Sequence, residues 1–85
     1  MYYFYLWTNH LGSTCFGITG NPEGRRRKYE GHCGHAVKFE RLYEGRQTLI
    51  EDLEDSIKGE FYEHLLDTGA GKYEWILNVP SEQVL

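Results

Sequence analysis

The sequence predicts a small α+β sandwich, a three-stranded mixed or antiparallel sheet flanked by helices. Three observations point there. Two period-2 segments, YYFYLWT (2–8) and TCFGIT (14–19), bracket a turn-forming NHLGS. A basic segment follows an Asn-Pro step at residues 21–22. An acidic segment then repeats apolar residues at helical spacing. The order read from the chain is strand, strand, helix, strand, helix, short strand.

In the first strand, alternation sets Tyr2, Phe4 and Leu6 on one face and Tyr3, Tyr5 and Trp7 on the other. The second strand alternates again, with Phe16 and Ile18 opposite Cys15, Gly17 and Thr19. A hairpin about residues 9–13 joins Phe4, Leu6, Phe16 and Ile18 in one core face. Tyr5 and Cys15 become neighbours on the other face, which is expected to be open and floored by Gly17.

Asn21 suits an N-cap and Pro22 a first helical residue, so a helix starts there. Gly24 weakens it, and Gly31 and Gly34 limit it to about two turns. Pro22, Arg25 and Tyr29 share one face and turn inward, which leaves Arg26, Arg27 and Lys28 solvated. HAVKFERLY (35–43) is the third strand, and EGRQ leads to a long helix over about 46–66. Ile50, Leu53, Ile57, Phe61 and Leu65 fall within roughly 120° of its circumference. Glu54 falls inside that arc. A carboxylate there is costly to bury unpaired, so it needs a cation, a metal or a cleft. Alternation and helical phase thus point Tyr5, Cys15, Arg25 and Glu54 to one cleft.

Composition bounds the function classes. Eighty-five residues form one domain, 1–85, near the lower limit for a self-sufficient core. Thirteen acidic against nine basic residues give net charge −4, which opposes long non-specific tracking on nucleic acid but leaves room for a local basic site. No run approaches the roughly 20 apolar residues of a membrane span. MYYFYLW lacks the basic start of a signal peptide, and two Cys are few for a small secreted fold. A cytoplasmic, intracellular location without membrane contact is expected.

At this point the residues resemble a known family. The hairpin, Gly17, the Asn21-Pro22 step, Arg25 and Glu54 are similar to a GIY-YIG nuclease domain, over Tyr3 to about Trp75. Tyr3-Phe4-Tyr5 stands where the family has GIY, and Cys15-Phe16-Gly17 where it has YIG. FGIT-x-NP-x-x-R-x-x-x-Y resembles the second motif of a phage-associated branch, and YEW (73–75) resembles the EW ending of that branch. L-E-x-x-I-K-x-x-F, Leu53 to Phe61, resembles the helix with the metal-binding glutamate. Two departures stand out: Gly is absent at position 3, and Cys15 replaces the YIG tyrosine, where some relatives carry Lys.

The resemblance implies a metal-dependent DNA endonuclease that hydrolyses phosphodiesters in a phage-infected host. Its catalytic residues would be Tyr5, Cys15, Arg25, Tyr29 and Glu54, with Mg²⁺ or Mn²⁺ on Glu54. Arg25 would offer a forked donor to phosphate oxygens. Tyr5 would be the base for the attacking water, its ordinary pKa of about 10 needing nearby positive charge. Tyr29 would orient a phosphate oxygen, and a homodimer or protein partner would supply specificity. The alternative is a catalytically silent module that binds nucleic acid or a protein. Outside the resemblance, His32-x-x-His35 with Cys33 is a weak soft-metal pattern, and His10 in the hairpin turn is an alternative base.

Overall fold

The β1–β2 hairpin organises the molecule. The computed structural model describes residues 1–67, 72–79 and 81–84, with the backbone alone for residues 66, 67 and 72–74. β1 (Tyr2–Thr8) and β2 (Thr14–Thr19) pair antiparallel, with Tyr5 opposite Gly17 and Trp7 opposite Cys15. The turn closes on Asn9, whose Oδ1 accepts from Leu11 N and Ser13 N at 2.9 and 3.1 Å. After β2 come α1 (Pro22–Cys33), β3 (Arg41–Gly45), α2 (Gln47–Glu60), a 3-10 turn (Tyr62–His64), β4 (Leu65–Asp67), β5 (Lys72–Ile76) and α3 (Ser81–Val84). The sheet has five strands in the order β3-β1-β2-β5-β4, and each neighbouring pair is antiparallel. The α+β class is as expected; the sheet has two strands more than the expected three.

Both sheet faces are covered. On one, Phe4, Leu6 and Phe16 pack with Ile50 and Ile57 of α2, and Leu65, Ile76 and Val84 complete the cluster. Each such side chain contributes about 1.5–3 kcal/mol through burial. On the other face Tyr5, Trp7, Cys15 and Val37 form a second cluster, against which Tyr29, Phe39 and Trp75 pack. This second face is sealed, not open as its alternation had suggested.

Element bounds differ from expectation in three places, each for a visible reason. α1 runs twelve residues, past Gly31, because Asn21 caps its start by accepting from Gly24 N and Gly34 closes its end at φ 76°. The third strand begins at Arg41, because 35–40 serves as a cover: Val37 and Phe39 turn onto the second cluster. α2 stops at Glu60, and Leu65 reaches the core from β4, opposite Ile76, instead of from a longer helix. The YEW stretch (73–75) runs along β5, and the side chains of Tyr73 and Glu74 lie outside the described residues.

Candidate functional site

β1 aims Tyr5 at α1, and α1 returns Arg25 and Tyr29 one turn apart. Tyr5 Oη and Tyr29 Oη share a hydrogen bond of 2.7 Å, and Arg25 Nη1 donates to Tyr5 Oη at 3.3 Å. Desolvation works against the Arg25 charge, but the two phenol oxygens outweigh it and raise the guanidinium pKa above its ordinary value. The Tyr5 ring stacks on Phe39 at 4.5 Å and meets Tyr29 edge-on at 5.8 Å, which leaves Tyr5 0% exposed. Three of the five expected site residues therefore form one hydrogen-bonded array.

Cys15 lies on the same face, fully buried. Burial pushes its thiol up to about 12, only partly offset by a 3.8 Å hydrogen bond from Asn9 Nδ2. At neutral pH it is a neutral thiol and offers no thiolate to relay a proton.

Glu54 does not join this group. It lies on the stripe of α2 buried with Ile50 and Ile57, and that stripe packs on Phe4, Leu6 and Phe16. Successive residues of a strand face opposite ways, so Tyr5 points away from α2. Topology gives the cause. Two antiparallel steps make β2, β3 and β4 mutually parallel. The chain crosses the sheet one way through α1 and back the other way through α2. Crossovers between parallel strands are right-handed, so opposite directions put the two helices on opposite faces. The expected convergence of Tyr5, Arg25 and Glu54 on one cleft is thereby overturned.

The remaining cations also sort differently from expectation. Arg26 is half-buried, paired to Glu23 and Glu30 at 2.5 and 2.7 Å, and its Nη1 donates to Val37 O at 3.4 Å. Glu30 in turn accepts from Val37 N at 2.8 Å, so Arg26 and Glu30 clamp the 35–40 cover onto α1. Arg27 and Lys28 are exposed as expected. Lys28 nonetheless joins Arg25, Tyr29 and His32 around an open depression of about 240 Å³. Their spacing, i, i+3, i+4 and i+7, is one helix face and was present in the sequence. Lys28 and His32 are the members that inward-or-outward sorting passed over.

The donors do not fit a divalent metal beside Tyr5. Glu54 Oε1 lies 3.5 Å from Lys58 Nζ, a cation of the chain itself, on the other side of the sheet. Among the described residues no group of three or more His, Cys, Asp or Glu is arranged to hold a metal ion, and His32, Cys33 and His35 are exposed without forming one. His10 is exposed and faces His35, ring centroids 6.1 Å apart, instead of Tyr5. No described helix is long and apolar enough to cross a membrane.

Comparison of the chain with protein-family models, with curated proteins and with solved structures found no match.

Proposed function

We propose that this domain is a GIY-YIG-like module that grips the phosphate backbone of DNA through the α1 face without cutting it. The observation that carries the reading is the Arg25–Tyr5–Tyr29 array opening onto the depression shared with Lys28 and His32. Tyr5 acts there as a positioning residue. Its oxygen holds the Arg25 guanidinium, whose planar fork matches two phosphate oxygens. Lys28 adds a point charge, and the exposed His32 ring adds a second donor. Net charge −4 opposes contact elsewhere on the surface, so binding is local and weakens as salt screens it. The same geometry disfavours hydrolysis: the Tyr5 phenol is sealed under Phe39, Cys15 stays protonated, and Glu54 lies beside Lys58 of its own helix on the opposite side of the sheet.

A second reading, a DNA endonuclease using Mg²⁺ or Mn²⁺, draws on one specific observation. Arg25, Tyr5 and Tyr29, to which the resemblance would give catalytic roles, share one hydrogen-bonded array. One experiment separates the two. Supercoiled plasmid is incubated with Mg²⁺ or Mn²⁺ and wild type or Glu54→Ala, while a labelled fragment of the same DNA reports binding by anisotropy. Binding without nicking supports the module. Metal-dependent nicking that vanishes in Glu54→Ala establishes the endonuclease, and neither binding nor nicking rejects both.

A further inference from the structure

We propose that the domain captures an unpaired nucleotide of single-stranded DNA, seating its base in a second cavity beside the phosphate-binding face. The inference rests on the phosphate-binding reading and specifies the form of DNA it prefers. The cavity, about 590 Å³, is bounded by Trp7, His35, Lys38, Glu40 and Arg41. That falls within the roughly 300–1,000 Å³ of small-molecule sites. It lies where the end of β1 meets the 35–40 cover.

Two observations indicate what it takes. Trp7 is 3% exposed, and its indole Nε1 is buried with no hydrogen-bond partner among the described residues. An indole N–H can only donate, so the matching occupant presents an acceptor. Second, the Trp7 ring lies 5.2 Å from Tyr29, which lines the Arg25 depression. The two cavities thus flank a single aromatic pair, as the base and phosphate of one nucleotide flank its sugar.

The other walls suit a base. A planar face stacks on His35 or on the Arg41 guanidinium, and a small shift of the Trp7 ring brings its buried N–H to the base's carbonyl or ring-nitrogen acceptors. Glu40 presents a carboxylate to an exocyclic amine. Burial works against its charge, but hydrogen bonds from Thr8 and Ser81 outweigh this and hold its pKa below the ordinary carboxylate value. A base inside a duplex has its edge paired and its faces stacked, so it cannot enter.

The test compares three labelled probes at one salt concentration: a short single strand, the same strand in duplex, and an equally long abasic strand. Wild type is expected to bind the single strand about ten-fold more tightly than either of the others, one base seated being worth that much. Trp7→Phe keeps an aromatic ring, though a smaller one, and removes the donor. It should weaken single-strand binding about five-fold and leave abasic binding unchanged. Arg41→Ala, at the exposed rim, should act in the same direction and carries the test if Trp7→Phe does not fold. Free deoxynucleoside monophosphate should compete about 100-fold more weakly than the strand, lacking neighbouring contacts. Equal competition by the monophosphate would overturn strand capture. Equal binding of abasic and base-bearing strands would overturn the base cavity and leave phosphate binding standing. Failure of all probes to bind would overturn both.

Discussion

The two faces of the sheet are made from the same two strands and are chemically opposite. The α2 face takes Phe4, Leu6 and Phe16 from them, and these buried members of its cluster are all hydrocarbon. The α1 face takes Tyr5, Trp7 and Cys15, whose rings and sulfur end in a hydroxyl, an indole N–H and a thiol. Period-2 alternation lets one hairpin do both jobs. One face supplies burial energy, and the other spends part of that stability on polar groups held under aromatic cover. Damage to the first should cost folding, and damage to the second should cost recognition.

The largest effect expected from this contrast is Phe16→Ala, which should destabilise by about 3–5 kcal/mol. For a domain of this size that approaches total stability. Chemical denaturation checks it, and a loss under 1 kcal/mol would break the contrast. Next comes Arg25→Ala, which should lower affinity for single-stranded DNA by about ten-fold or more and reduce the salt slope by about one phosphate contact. Glu54→Gln, on the opposite face, should leave affinity unchanged. Equal losses in the two variants would erase the distinction between faces.

Most of that contrast is legible in the sequence. Alternation assigns each hairpin residue to its face, Asn21-Pro22 marks the start of α1, and helical phase turns Arg25 and Tyr29 inward together. Phase also turns Glu54 inward, but it cannot say toward which face of the sheet. That follows from crossover direction, hence from β4 and β5. β4 is three residues long, too short for any periodicity to announce it. The segment 35–40 misleads for a related reason. Val37 and Phe39 alternate like a strand, yet they cap Tyr5 and Trp7, and the clamp that fixes them, Arg26 with Glu30, looks in sequence like solvated charge.

Smaller effects sharpen the second face. Tyr5→Phe removes the hydroxyl shared by Arg25 and Tyr29 and should cost about 1 kcal/mol of stability. It should also weaken DNA binding, because Arg25 loses its acceptor; unchanged binding would remove Tyr5 from the positioning role. Cys15 should resist alkylation at neutral pH while exposed Cys33 reacts, as mass spectrometry of the intact chain would register. The sign of its pH effect follows from the raised value. Between the ordinary 9.0 and about 12 the unfolded chain sheds this proton and the folded chain keeps it. The contribution of Cys15 is therefore complete below pH 9 and is lost as pH rises through that window. Cys15→Ala should flatten that part of the alkaline decline, and an unchanged slope would contradict the buried thiol.

Titration of the ¹⁵N-labelled chain with a short single-stranded oligodeoxynucleotide shows whether the α1 face grips DNA phosphate. Backbone amides and the arginine Nε–H groups are followed together. Phosphate binding there shifts Arg25, Lys28, Tyr29 and His32 most, spreads to Trp7 and its indole N–H, and leaves the amides around Ile50, Glu54 and Ile57 still. Shifts centred on Glu54 and Lys58, or no shift at Arg25 at saturating strand, would contradict it.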